Sequence, residues 1–556
     1  MSQNAGGATA YRPSGAPDAA DPRGGDREAF SARSVFILAA IGSAVGLGNI
    51  WRYPMVAYES GGGAFLLPYL VALTTAAIPL LFLDYALGHK YRGASPLAFK
   101  RLRRWLEPFG WVQVLMCFVI ATYYAVVLAW ALRYFFYAFT TQWGSDTGAF
   151  FEGELLEVTE IGALGHFVTP TLIALAGLWI LCIGIVAVGV DKGIGLANRV
   201  FLPLLILVFG ALVVRALFLE GAATGLDAFF TPDWNAIKDP DVWVAAYGQV
   251  FFSTSVAIGA MLTYASYLKR KTNLTGSGLV VGFSNASFEV LAGIGVFACL
   301  GFLAVQQGVG VEDAAAGGPG LTFVVFPALI NEMPFGNVFG VLFFGCLVVA
   351  GITSLISLMQ VVGAAFGEKF GLAPRTGTLV TGVVMAAVSV FFYARSTALH
   401  VLDVTDNWVN NVVLVTAAGL VALAVAFAAR ALPELARHLN AVSSFKVGRL
   451  WMLCVAVITP AMLAVATWQS VSTLVSDGYP SGTDDAGNPV YYPSEFVNVF
   501  GWGMTAALVV LALLLSVIPW IKEHERARAH ELDEHGNDLN DPAGHRSPEY
   551  VEGGRA

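Results

Sequence analysis

The residues able to bind or react through their side chains are few, and they recur as small polar clusters inside long apolar runs. Gly42, Gly46 and Gly48 punctuate the stretch GSAVGLGNIWRYP, with Asn49 and Arg52 beside them. A second run is broken by Ser253-Thr254-Ser255, with Gly259 following. Asn285 and Glu289 stand one helical turn apart in a third, and Thr353-Ser354 sits in a fourth. Amide and hydroxyl oxygens, with whatever backbone carbonyls unwound glycines expose, can hold a hard cation without a cage of carboxylates. Bond-breaking chemistry has no such support. HExxH, a paired His-Glu metal set and a Ser/His/Asp arrangement are all missing from the sequence, so an enzyme is a weak reading. The five cysteines, Cys117, Cys182, Cys299, Cys346 and Cys454, lie in apolar runs and suggest neither disulfides nor a zinc site.

The elements that position these clusters must be dissolved in lipid. The 556-residue chain is 56% hydrophobic and only 13% charged, with mean hydropathy +0.67, against ~25% charged in a soluble protein. So few charges cannot coat a globule of this size. A net charge of −8 and the lack of a basic stripe also exclude nucleic acid as a partner. Twelve apolar segments approach the ~20 residues that cross a bilayer: about 33–58, 64–88, 109–142, 169–188, 195–219, 242–268, 276–305, 337–366, 376–394, 398–429, 449–474 and 496–521. The expected fold is an all-α integral membrane protein.

Charge asymmetry orients it. Lys90, Arg92, Lys100, Arg101, Arg103 and Arg104 crowd the connection 89–108, and 269–271 reads Lys-Arg-Lys. The connections 143–168, 306–336 and 475–495 contain neither Lys nor Arg. Lys and Arg stay on the cytoplasmic side, so a multi-pass protein of the cell membrane with both termini cytoplasmic is expected. Only Lys238 and the loop near Arg395 depart from the pattern. Residues 1–26 have no apolar core for a signal peptide and read as a disordered arm. The charged tail 522–556 holds His524, His530 and His535 without ligand spacing, and reads as solvated.

Glycine weakens a helix, and backbone unwound within a bilayer is tolerated only where it lines protein or a cavity. Close helix packing would explain the glycines of the first segment but not Asn49 and Arg52. Intramembrane polar and ionisable groups mark function. The first and sixth segments hold matching places in two five-helix halves, about 33–219 and 242–429, within a membrane unit of 27–521. Matched broken helices point to a site near the midplane.

GSAVGLGNIWRYP and the following ESGGGAFLLPY resemble the first-helix signature of the neurotransmitter:sodium symporters, in the prokaryotic amino-acid branch of the leucine-transporter type. TPDW (231–234), GQVFF (248–252), TYASY (263–267) and AGITS (350–354) continue the resemblance in order. It implies a 5+5 inverted repeat with unwound helices 1 and 6, an architecture for which this family is a type example. The activity implied is sodium-coupled import of a neutral, apolar amino acid by alternating access, with two sodium ions, no organic cofactor, and the bilayer as surroundings. A channel with broken helices is the second class; two discrete gates argue against it. The membrane enzyme is the third class, and a transporter-like sensor that binds but barely transports is a further reading.

The resemblance also implies roles. The first sodium site would use the Ala44 carbonyl, the Asn49 and Asn285 side chains, Ser253 and the substrate's carboxylate. The second would use the Gly42, Val45 and Ala350 carbonyls with the Thr353 and Ser354 hydroxyls. The Leu47 and Gly48 N–H groups, at a half-helix N-terminus that favours anions, would meet the substrate carboxylate with Tyr124. Gly46 stands where amine carriers place an Asp, so the substrate should bring its own carboxylate. Carbonyls of Ala44, Phe252 and Ser253, with Ser255, would take the ammonium. Ser43, Ile120, Tyr124, Phe252, Ile258, Ser354 and Leu358 would form an uncharged side-chain pocket. Arg52 and Asp406 would gate one side; Arg27, Glu368 and Tyr267 would gate the other, although Arg27 can equally be read as an ordinary cytoplasmic charge. Animal members hold chloride at positions matching Tyr69, Gln249 and Ser253. Here Glu289 would supply that negative charge, making transport chloride-independent. There are departures: Ala257 replaces a helix-6 glycine, which bears on the unwinding there, and Phe30 an inner tryptophan. Gly193 and Pro203 keep a spacing that lets the fifth helix unwind.

Overall fold

The computed structural model describes residues 29–162, 165–314, 317–483 and 488–521. The arm 1–26, Arg27 and the tail 522–556 lie outside the described residues. Among the described residues, ten helices are long and apolar enough to cross a membrane: Gly63–Tyr91, Arg104–Tyr137, Thr169–Ala187, Val190–Leu217, Leu274–Gln307, Gly336–Phe370, Pro374–Tyr393, Ala398–Ala428, Arg449–Ser476 and Ser494–Val517. Arg33–Ala44 and Leu47–Glu59 add a crossing bent by 54°. Pro240–Ser253 and Ala260–Ala265 are the two pieces of another, each too short to cross alone. In chain order these are twelve crossings, of which the first and sixth are broken.

Burial separates core from rim. In the third and seventh crossings 78% of the apolar window is buried, but in the twelfth only 17%. Ile180, Leu207, Leu450 and Val517 point outward on rim helices, where lipid rather than water would receive them. Small residues bring the core helices together: a Cβ on Gly351 of the eighth crossing would lie 2.5 Å from Leu128 of the third. The third crossing ends at Tyr137, short of the expected 142, because the chain turns there and Thr141 takes a left-handed φ of 49°. Phe139 and Trp143 prolong its apolar run beyond the helix.

Two faces result. One, the loop face, carries the described parts of the connections 138–168, 306–335 and 477–493, including a hairpin of Pro480–Thr483 and Pro489–Tyr491. The opposite, terminal face holds both ends of the described chain. There the Phe30 N–H donates to the Tyr267 carbonyl, and the Trp520 indole to Glu107.

Candidate substrate and ion site

The first crossing breaks because Val45 and Gly46 are extended between two helical pieces. The break leaves N–H groups at the start of Leu47–Trp51 without intrahelical partners. Asn49 answers one of them, its Oδ1 accepting from the Gly46 N–H at 2.8 Å. The Leu47 N–H points at the Tyr124 hydroxyl, 3.4 Å away. Glycine at 48 is obligatory, since a Cβ there would meet the Phe252 ring at 2.0 Å.

The sixth crossing unwinds over residues 254–259. Ser255, Ala257 and Gly259 have φ of 53°, 60° and 83°. Left-handed backbone costs a non-glycine residue roughly 1–3 kcal/mol, yet Ala257 adopts it, so replacing the family glycine has not shortened the break. Its N–H donates to Asp84 Oδ2 at 3.2 Å, and the Cys117 thiol lies 3.0 Å from the Ile258 carbonyl. Ser255 Oγ donates to the Ser43 carbonyl at 3.1 Å, tying the two breaks together.

The oxygens expected around two cations are brought into two groups. Asn49 Nδ2 donates to Asn285 Oδ1 at 2.9 Å, and Asn285 Nδ2 to Ser253 Oγ at 3.0 Å; Ala44 ends the helix beside them. In the other group, Ser354 Oγ lies 3.5 Å from the Gly42 carbonyl and 3.4 Å from those of Val45 and Ala350. Thr353 Oγ1 donates to the Ala350 carbonyl at 2.7 Å. These donor sets are neutral oxygens throughout and fit a monovalent hard cation. Beside the first group, Glu289 is wholly buried, accepting from Gln249 Nε2 at 2.6 Å and from the Tyr69 hydroxyl.

A cavity of about 750 Å³ runs from both breaks towards the loop face, past Tyr479 and Tyr492 of the hairpin end. All the residues expected around a substrate line it: Ser43, Ala44, Gly46, Leu47, Gly48, Ile120, Tyr124, Phe252, Ser253, Ser255, Ile258, Ser354 and Leu358. Arg52 and Asp406 line it too, but no ion pair within 4.0 Å joins them. The Arg52 guanidinium sits 4.6 Å over the Phe252 ring, and Asp406 accepts from Asn410 at 2.8 Å. The expected contact across this mouth is not made here, each side chain being engaged by a neighbour of its own. At the terminal face, Phe30 is buried against Phe36, Tyr264 and Tyr267. The Tyr267 hydroxyl accepts from Gln360, and Glu368 from the Ala94 N–H.

Sequence reasoning passed over Asp84 and Asp403. Asp403 receives the hydroxyls of Tyr479 and Tyr492 at 3.0 and 3.1 Å, holding the hairpin ends over the cavity. An acid inside an apolar run was the available signal for both.

The sequence profile described as the sodium:neurotransmitter symporter family matches residues 27–159 and 141–523. A protein of Methanocaldococcus jannaschii, described as an uncharacterized sodium-dependent transporter, is 34% identical over 498 residues, 89% of this chain and 97% of its own. The mouse (Mus musculus) sodium- and chloride-dependent GABA transporter 2 is 32% identical over 378 residues, 62% of each chain. Among solved structures, the crystal structure of MhsT in complex with L-phenylalanine aligns with TM-score 0.68 at 32% identity, covering 80% of this chain and all of that one.

Proposed function

Because the chain belongs to the sodium:neurotransmitter symporter family, we propose that it imports a neutral, apolar amino acid together with sodium. It is a multi-pass membrane protein of a transporter family, with the all-α inverted-repeat fold of that family. The observation that carries the finer reading is one cavity lined by both helix breaks, by Ala44, Asn49, Ser253 and Ser354 of the oxygen groups, and by the uncharged Ile120, Ile258 and Leu358.

The chemistry follows from the polarity of the parts. A substrate carboxylate beside the half-helix N-terminus would accept from the Leu47 N–H and from the Tyr124 hydroxyl, in place of their contact with each other. From there it reaches the cation held by Ala44, Asn49, Ser253 and Asn285, so ion and substrate stabilise one another. The second cation, on Gly42, Val45, Ala350, Thr353 and Ser354, ties the first crossing to the eighth. Ile120, Ile258 and Leu358 offer no charge to a substrate side chain, and the related MhsT was crystallised with L-phenylalanine. Glu289 replaces chloride as the negative charge beside the first cation. With the loop face outside, Arg52 and Asp406 close over the bound substrate before Phe30, Tyr267 and Glu368 release the terminal face.

The test is sodium-gradient-driven uptake into proteoliposomes, run with a panel of amino acids. Leucine, methionine, phenylalanine or tryptophan should be accumulated, and dissipating the gradient should stop accumulation. Uptake that ignores sodium, or competition by lysine and glutamate alone, refutes the proposal.

A further inference from the structure

Asn198 of the fifth crossing has no part in either oxygen group, yet it is wholly buried. Its Nδ2 donates to the Ile194 carbonyl one turn back, at 2.9 Å. That bond fixes the amide, so Oδ1 must face away from its own helix. Oδ1 has no hydrogen-bond partner. Leaving a buried acceptor unpaired is destabilising, and such a group calls for an ion or water to explain it.

The place where Oδ1 points is specific. A Cβ added to Gly42 would lie 1.9 Å from Oδ1 and 3.4 Å from Cβ of Thr353. Gly42, Thr353 and the orphan oxygen therefore converge. A helical Cα–Cβ bond tilts towards the helix N-terminus, so the spot that Oδ1 fills lies on the Arg33 side of Gly42, facing the terminal end. The fifth crossing is held there independently. A Cβ on Gly195 would come within 2.7 Å of Val35, and the Ser31 N–H donates to Asp191 at 2.9 Å. Val190–Gly195 is wound as a π-helix, a geometry frequent at functional sites.

We propose that Asn198 Oδ1 is a further ligand of the second sodium ion, contributed by the fifth crossing from the terminal side, in direct contact or through one water. The proposal rests on the second-site reading above. It makes the fifth crossing a brake on sodium release: the ion moving from Gly42 towards the terminal face meets Asn198 before solvent. It also accounts for glycine at 42, since any side chain there would displace the amide.

The purified full chain, without amino acid, lacks the substrate carboxylate at the first site, so its response to sodium reports chiefly on the second. Sodium concentrations for half-maximal thermal stabilisation and for 22Na binding are to be compared in the parent, Asn198→Leu, Asn198→Asp and Thr353→Ala. Asn198→Leu, close in volume and without the oxygen, should raise the midpoint about tenfold (~1.4 kcal/mol). Asn198→Asp, which keeps an oxygen at the same reach, should hold the midpoint at or below that of the parent. If Asn198→Leu does not fold, Asn198→Ala and Asn198→Asp carry the comparison, Ala in place of Leu. A midpoint within twofold of the parent in the oxygen-free variant, or equally raised in both variants, overturns the assignment. If Thr353→Ala weakens sodium while the oxygen-free variant does not, Asn198 alone is misassigned. If neither does, the second-site reading fails with it.

Discussion

Under the proposed function Asn285 is the residue on which the two ligands would depend together, since its amide links Asn49 to Ser253 within hydrogen-bond reach of both. Asn285→Ala should weaken sodium and amino-acid binding by similar factors, about tenfold each, because binding coupling is reciprocal. Equilibrium binding of each ligand, with and without the other, checks this; parent affinity for amino acid that ignores sodium contradicts it. Glu289 makes the second prediction at this scale. Parent uptake should persist when gluconate replaces chloride, whereas Glu289→Ser should become chloride-stimulated. Loss of parent uptake in gluconate would show that the carboxylate does not fill that role. Most of these residues were legible because a polar side chain in an apolar run is conspicuous and the motif around it is specific. Asn198 was equally conspicuous in type, but its meaning lies in an orphan oxygen over Gly42, which no spacing along the chain reveals.

At the scale of the element, the sixth crossing is held open by a neighbour. Asp84 accepts the Ala257 N–H. Asp84→Ala should strand that donor, at a cost of about 1–3 kcal/mol, lower the thermal unfolding temperature and weaken amino-acid binding through Ser255 and Ile258. Asp84→Asn, which still offers an oxygen, should recover most of both; an alanine variant as stable and as avid as the parent would remove Asp84 from this role. Crossing positions were readable from apolar run length, and broken helices from glycines and serines. The left-handed Ala257 was not, because a tertiary hydrogen bond rather than residue type allows it. The end of the third crossing was missed for the opposite reason: Phe139 and Trp143 are apolar without being helical.

At the scale of the molecule, the cavity opens to the loop face while the terminal face is closed. All five native cysteines are buried, so a thiol at the cavity lining is a clean reporter. Leu399→Cys, on that lining, should react with an impermeant maleimide added from the outside, and sodium with amino acid should slow labelling at least severalfold as Arg52 and Asp406 approach. Labelling from the inside alone would invert the assigned orientation. The overall architecture was legible because lipid imposes length and polarity on every crossing. The separation of Arg52 from Asp406 was not, because a sequence describes every state of a moving protein at once. The two closures also differ in kind. Phe30 closes the terminal end through rings 5.8 to 6.4 Å apart, whereas the mouth would close through opposite charges in a watery cavity. Salt screens such charges, while cooling weakens apolar contacts. Ionic strength and temperature are therefore separate handles on the two doors, the first acting on the charged mouth and the second on the ring-packed end.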